Sequence, residues 1–103
     1  MITVNVIYPT KEGGTFDLDY YLSKHIPLVK ERLAGALRGV TVEVGLANAV
    51  PGAALPFVAF CDLKFDSIEA FQAAFGPHAA EIQGDIPKYT NITPVIQFSE
   101  VKL

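Results

Sequence analysis

Hydrophobic and polar residues alternate with the two-residue period of a β-strand in four parts of the chain. The first of these segments carries Val4, Val6 and Tyr8 on one side and polar residues such as Thr3 and Asn5 on the other. Turn residues, including Gly13-Gly14 and Pro51-Gly52, follow between the periodic segments. The predicted strands cover residues 2–8, 40–46, 56–65 and 93–101.

A helical period follows the first strand. Asp17 is placed to cap the helix because its carboxylate can accept hydrogen bonds from the free amides of the opening turn. Pro27 lacks an amide and should bend or divide the helix near Ser23 and His25. At about 100° per residue, one stripe should face the core, with Tyr21 and His25 beside it. That stripe comprises Leu18, Leu22, Ile26, Val29, Leu33 and Leu37.

A second helix is predicted between the third and fourth strands. The segment Asp66–Glu69 has the spacing of a capping box, and Gly76-Pro77 ends the helix. A further helical turn is expected over residues 77–83. The apolar stripe of this helix is Ile68, Phe71, Ala74 and Phe75.

The element order β-α-β-β-α-β is typical of an α+β, ferredoxin-like domain. It has a four-stranded antiparallel sheet with both helices on one face. The 103 residues suit one hydrophobic core, so residues 1–103 form a single domain.

The sheet face away from the helices is expected to be unusually apolar. Exposed apolar patches of this kind mark interaction surfaces, so we expect a homodimer through this face, which would make a dimeric α/β barrel. The residues that carry this expectation are Val58, Phe60, Ile96 and Phe98.

Composition narrows the possible partners. The net charge is −3 and no Lys/Arg cluster occurs, which argues against binding to nucleic acid or to an anionic membrane. No apolar run is long enough to cross a bilayer and no leader pattern precedes the first strand, so a cytoplasmic location is expected. A small neutral or apolar ligand fits this composition best.

His25 is the main candidate for chemistry, as a general acid or base, because a free histidine pKa of about 6.5 suits proton transfer at neutral pH. The alternative is a partly buried histidine that holds an interrupted helix. Tyr20 and Tyr21 supply an aromatic wall, and Tyr21, on the flank of His25, is the stronger candidate for a ligand contact.

Three further residues are candidates for substrate binding. Asp85 and Thr90 flank a loop and could orient His25 or bind a ligand hydroxyl, although Asp85 in a Gly-Asp-x-Pro turn can equally bond nearby amides. Cys61 is predicted on the helix-facing side of its strand, where it could line a pocket or serve as an inert apolar residue.

No metal site and no cofactor are expected. His25 and His78 do not have the spacing of metal ligands, and a single cysteine cannot supply a thiolate cluster. The chain also has no glycine-rich phosphate loop, dinucleotide-binding fingerprint or nucleophile elbow.

Three patches of the sequence resemble the EthD family, and together they span nearly the whole chain. They are Phe16-Asp17-x-Asp19-Tyr20-Tyr21-x-x-x-His25-x-Pro27-Leu28-Val29, Phe65-Asp66-Ser67 with Ala70-Phe71 and Phe75-Gly76, and Gly84-Asp85-Ile86-Pro87-x-Tyr89-Thr90-Asn91-Ile92-x-Pro94.

The resemblance implies membership of the dimeric α/β barrel superfamily. The family is named for a component of a bacterial ethyl tert-butyl ether degradation system. Relatives by fold include methylmuconolactone isomerases, polyketide cyclases and cofactor-free monooxygenases, which share a pocket between sheet and helices.

Three hypotheses follow. One is a cofactor-free oxidoreductase, isomerase or cyclase that uses His25. Another is a non-catalytic ligand-binding or accessory protein of a degradative pathway, and a third is a dimer without a pocket. The sequence leaves open whether loop 47–55 acts as a lid.

Overall fold

The computed structural model describes residues 1–103 and contains four strands and four short α-helices. None of its helices combines the length and hydrophobicity needed to span a bilayer. The strands are β1 (Ile2–Pro9), β2 (Gly39–Val44), β3 (Phe57–Phe65) and β4 (Val95–Glu100). The helices are α1 (Leu18–Tyr20), α2 (Ile26–Arg32), α3 (Ile68–Phe75) and α4 (Ala79–Asp85). A π-helical turn (Tyr21–His25) joins α1 to α2, and 3-10 turns (Gly76–His78 and Ile86–Lys88) flank α4.

The four strands form one antiparallel sheet in the order β2-β3-β1-β4. The helices cover one face of this sheet, and their buried side chains form a single core with the inward residues of β1 and β3. The predicted α+β, ferredoxin-like fold is confirmed. The residues buried in this core from the sheet are Val4, Tyr8, Ala59, Cys61, Leu63 and Phe65.

The first helical segment is divided as Pro27 predicted. Asp17 caps it, accepting a hydrogen bond from the Tyr20 amide at 3.0 Å. The Ile26 amide then bonds the Tyr21 carbonyl five residues back, which makes the π-helical turn.

This turn changes which side chains reach the core. An ideal α-helical period placed Leu22 on the core stripe, but Leu22 is 46% exposed. Because the wider turn shifts the helical phase, Tyr21 and His25 take the buried positions instead, at 1% and 5% exposed. The prediction for Leu22 was therefore wrong, whereas Ile26, Val29 and Leu33 are buried as expected.

The second helical segment begins one residue later than the capping-box spacing indicated. Ser67 is the N-cap, and its hydroxyl accepts a hydrogen bond from the Ala70 amide at 3.0 Å. Asp66 instead pairs with Arg38 at 3.0 Å on the surface. The helix ends at Phe75, directly before Gly76-Pro77, as predicted.

The side chains of Ile96 and Phe98 on β4 point to the opposite face of the sheet from the one predicted. Val4 pairs with Phe98, and Val6 pairs with Ile96, so both β4 side chains lie on the helix-covered face. Phe98 packs edge-to-face on Phe71 of α3, with ring centroids 5.6 Å apart.

Two of the expected dimer residues are therefore not on the open face. Phe60 is there, paired with Ile7 of β1. Val58 sits where the register between β1 and β3 shifts, and it packs against the core.

Candidate functional site

His25 and Asp85 form a buried pair beneath the π-helical turn. The Nδ1 atom of His25 lies 2.9 Å from Oδ2 of Asp85. His25 ends the π-helical turn and Asp85 ends α4, so the two helical segments meet at this contact. The sequence identified both residues, and the structure brings them together.

The pKa directions define the charges of the pair. Burial lowers the pKa of His25 below its usual value, and the hydrogen bond that His25 donates to Asp85 opposes that shift only in part. Burial raises the pKa of Asp85, but the hydrogen bonds from His25 and Tyr20 outweigh it, so that pKa lies below its ordinary range. The pair at neutral pH is thus a neutral imidazole beside a carboxylate.

These charges assign the histidine tautomer. An ionised carboxylate only accepts hydrogen bonds, so Nδ1 of His25 carries the proton and Nε2 carries a lone pair. Nε2 forms no hydrogen bond within the chain. Every fully buried side-chain nitrogen or oxygen has a hydrogen-bond partner, so Nε2 is not fully buried. Open space therefore remains beside Nε2, and such a nitrogen can act as a general base.

Tyr20 completes the arrangement behind the pair. Its hydroxyl donates to Oδ1 of Asp85 at 2.8 Å, while Nζ of Lys88 lies 3.7 Å from the same oxygen. Tyr20 does not line the cavity described next. Tyr20 was predicted as a substrate contact, but its hydroxyl bonds the Asp85 carboxylate and its side chain is not among the cavity walls.

An apolar cavity of about 220 Å³ lies between the helices and the sheet, and His25 is one of its walls. Fourteen of the seventeen lining residues are hydrophobic, and none is Lys, Arg, Asp or Glu. Ile96, which is 54% exposed, and the exposed Gln83 also line it and thus mark its mouth. Small-molecule sites commonly combine an apolar wall with few polar groups in this way.

Tyr21 and Cys61 line the same cavity. The Tyr21 ring stacks on the His25 ring, with centroids 5.7 Å apart and planes inclined by 15°. Burial raises the pKa of the Cys61 thiol to about 11, so this group stays protonated at neutral pH. Cys61 is therefore a wall of the cavity and a poor nucleophile.

Thr90 is not brought to the cavity. Its hydroxyl donates to the Thr15 carbonyl at 2.6 Å and accepts from the Ile92 amide at 3.0 Å. Thr90 also forms a β-bridge with Phe16, so it fastens the loop before α1 to the loop before β4. The prediction of Thr90 as a ligand contact does not agree with this placement, because both polar functions of its hydroxyl are used.

Sequence reasoning missed an aromatic cluster behind the site. Tyr89 lies 4.6 Å from His25 between ring centroids, and its hydroxyl lies 2.6 Å from the hydroxyl of Tyr8. Tyr8 also lines the cavity. Their only sequence signal was position: Tyr8 ends the apolar side of β1, and Tyr89 follows the Asp85 turn. No three His, Cys, Asp or Glu side chains converge in a metal-binding arrangement.

The fold and the site define a ferredoxin-like domain with a histidine at the wall of an apolar cavity. A family model described as the EthD domain matches residues 15–93. The chain belongs to the EthD family. No match was found among curated proteins.

Solved structures agree with this assignment. An EthD-like protein from Ralstonia eutropha JMP134 is 52% identical, with a TM-score of 0.94 over 99% of this chain and 92% of its own. An EthD family protein from Bacillus halodurans C-125 is 19% identical, with a TM-score of 0.68 over 99% of each chain. HapK from Hahella chejuensis is 14% identical, with a TM-score of 0.61 over 99% of this chain and 93% of its own. The last two similarities concern the fold alone.

Proposed function

We propose that the protein binds a small, neutral, largely apolar metabolite in the cavity and that His25 moves a proton of this ligand. The observation that carries the proposal is the unpartnered Nε2 of a neutral His25, whose Nδ1–H is held by ionised Asp85 at 2.9 Å. A base held in this way is ready to accept a proton without rearrangement.

The walls of the cavity support a neutral ligand. A carboxylate or phosphate inside it would lose its hydration and would find no Lys or Arg side chain among the lining residues. An apolar molecule would replace few hydrogen bonds and would gain from burial.

The reaction classes that need only such a base are isomerisation and cyclisation. Oxidation without a bound cofactor also fits, provided that dioxygen accepts the electrons from the deprotonated substrate. A part in a degradative pathway, as the family name implies, belongs to this proposal.

A thermal-shift screen of phenols, lactones, polyketide fragments and haem tests the proposal. Wild type is compared with His25→Gln, and hits are followed by proton–deuterium exchange of the ligand in D₂O. A ligand at a hundred times its Kd stabilises the folded protein by about 2.7 kcal/mol, which the screen detects. We expect His25→Gln to keep affinity within about tenfold and to lose about 10²–10⁴ of the exchange rate.

The alternative, a ligand-binding or accessory protein without turnover, predicts a different result. Hits would then bind both proteins and neither protein would accelerate exchange. Parallel loss of binding and exchange in His25→Gln would make His25 a ligand anchor. Absence of any ligand for wild type would contradict both forms of the proposal.

We also propose that two copies pair through the open sheet face, as in a dimeric α/β barrel. Ile7 and Phe60 are apolar neighbours across β1 and β3 on this face. A hydrogen-bonded cluster of Asn5, Asp62 and Ser99 lies beside them and would sit within or around the contact. Apolar centres with polar surroundings are usual in such interfaces.

A further inference from the structure

The hydroxyl of Tyr21 is a buried polar group whose polar neighbours are the Tyr8 hydroxyl and the Cys61 thiol. Tyr21 is 1% exposed and lines the cavity. No hydrogen bond of regular geometry joins its hydroxyl to the chain. Every side-chain nitrogen or oxygen that is completely shielded has a hydrogen-bond partner, so the Tyr21 hydroxyl is not completely shielded. The hydroxyl therefore borders open space, and the cavity is the space that Tyr21 lines.

Neither of these two neighbours forms a hydrogen bond of regular geometry with the Tyr21 hydroxyl. Cys61 offers a thiol, which is a weak acceptor. The Tyr8 hydroxyl also lies 2.6 Å from the Tyr89 hydroxyl, so its hydrogen bonding is shared between two tyrosines. Burial raises the pKa of Tyr21 far above its usual value, so the phenol keeps its proton and can serve as a donor.

Tyr21 and His25 are four residues apart in the π-helical turn, and both rings border the same cavity. Their stacking, with centroids 5.7 Å apart, holds the two rings in a fixed relation. His25 supplies a lone pair, and Tyr21 supplies an O–H donor that can turn from Tyr8 and Cys61 toward a ligand. When a base removes a proton from a neutral ligand, negative charge appears on that ligand, and a buried charge without a hydrogen-bond donor is costly.

We propose that Tyr21 donates a hydrogen bond to the oxygen on which this charge develops, and that the substrates are therefore neutral phenols or enolisable carbonyl compounds. The inference rests on the proposed function of His25. In the step, the O–H or α-C–H bond of the substrate breaks and an N–H bond forms at Nε2. The electron pair stays on the substrate and resides on the oxygen that Tyr21 faces.

The cavity volume limits the size of these substrates. An apolar protein cavity of about 150 Å³ accommodates benzene. The cavity of about 220 Å³ thus suits a single ring with few substituents. Neutral substituents are required, since no cationic side chain lines the cavity.

4-Nitrophenol is a suitable probe because its phenolate is coloured and the free phenol ionises near neutral pH. The apparent pKa of the bound probe is measured by absorbance in wild type, Tyr21→Phe, His25→Gln and Thr90→Val. Thr90→Val is the control, because it deletes a buried hydroxyl that bonds Thr15 and Ile92 and belongs to a residue that does not line the cavity. We expect wild type and Thr90→Val to ionise the bound probe below the pKa of the free probe.

Tyr21→Phe should raise the apparent pKa of the bound probe by about one to two pH units, as expected when a charged oxygen loses one donor. If His25→Gln raises this pKa and Tyr21→Phe leaves it unchanged, the role of Tyr21 is wrong while the proposed base survives. If neither variant changes it, the proposed base is wrong as well.

A measurement on wild type alone covers the case in which Tyr21→Phe does not fold. 4-Nitroanisole has nearly the same shape as the probe but no acidic proton. At a pH where the bound 4-nitrophenol is ionised, wild type should bind 4-nitrophenol at least about tenfold more tightly than 4-nitroanisole. Equal affinity for the two compounds, or no binding of 4-nitrophenol, would overturn the assigned substrate class.

Discussion

His25 Nδ1 and Asp85 Oδ2 lie 2.9 Å apart although sixty positions separate the two residues along the chain. Because Asp85 is ionised and can only accept, neutral His25 should exist as the tautomer with the proton on Nδ1. Long-range proton–nitrogen NMR at pH 7.5 should show an unprotonated Nε2 for His25. In Asp85→Asn a mixture of tautomers is expected, since an amide can donate or accept. A wild-type spectrum with the proton on Nε2 would contradict the proposed base.

The buried histidine should make the protein less stable in mild acid. The pKa of His25 is lowered on folding, so its contribution is complete above the unfolded value of about 6.5. As the pH falls below 6.5, the unfolded chain binds a proton that the folded chain does not, and stability is lost. The loss is about 1.4 kcal/mol for each pH unit between 6.5 and the folded pKa.

Urea unfolding at pH 7.5 and pH 5.5 measures this effect. His25→Gln should show a smaller drop in the free energy of unfolding between the two pH values than wild type. Asp85, whose pKa is also lowered, adds a further loss only near and below pH 4. Equal drops for wild type and His25→Gln would show that the imidazole does not resist protonation in the folded state.

Tyr20→Phe should act on Asp85 and leave the cavity unchanged. The Tyr20 hydroxyl bonds Oδ1 of Asp85 at 2.8 Å, so its loss should raise the pKa of the carboxyl. A carbon-13 NMR titration of the Asp85 carboxyl measures that pKa directly. Lys88→Gln is the comparison, because its 3.7 Å ion pair is longer and its side chain is 65% exposed. We expect a larger rise for Tyr20→Phe than for Lys88→Gln, and the reverse order would show that Tyr20 does not hold the carboxylate.

Ile96→Phe should close the mouth of the cavity. Ile96 lines the cavity, whereas Val95 is equally exposed at 54% and pairs with Ile7 on the open face. A larger ring at position 96 should weaken binding of 4-nitrophenol roughly tenfold or more, because added volume in a filled site is poorly tolerated. Val95→Phe is the control for the cavity. Because Val95 lies on the proposed dimer face, the comparison is made at a protein concentration at which the proteins have the same oligomeric state, and Val95→Phe should then bind like wild type. Similar affinities for all three proteins in a calorimetric titration would place the entrance elsewhere.

Phe60→Lys tests the proposed dimer. Phe60 lies on the open sheet face, so a buried charge there should yield a monomer in sedimentation velocity. Phe98→Lys serves as the control because Phe98 contacts Phe71 on the helix-covered face. It should remain dimeric with reduced stability. A dimer that survives Phe60→Lys would show that the open face is not the interface.

Much of the fold could be predicted from sequence because its determinants are local. Alternation of side chains along each strand, the Asp17 cap and the Gly76-Pro77 break act within a few residues, and each is found in the structure. The family was also identifiable from its motifs. His25 and Asp85 could be named as candidates from their residue types and positions.

Other features were decided only by tertiary structure. Alternation shows that Ile96 and Phe98 share a face of β4, but pairing with Val6 and Val4 of β1 determines which face that is. The exposure of Leu22 depends on the π-helical turn, which rotates the following side chains in a way that a constant helical period does not predict.

The candidate site likewise exists only in the folded chain. The Asp85 carboxylate, the His25 imidazole and the Tyr20 hydroxyl come from segments that are distant in sequence and meet through packing. The Thr90 hydroxyl could bind a ligand by its chemistry, but in the folded chain it hydrogen-bonds the backbone of Thr15 and Ile92 and so joins two loops. The sequence by itself determined the elements and the candidate groups. The packing of helices on the sheet decided which groups share a cavity, because burial and orientation depend on contacts between distant segments.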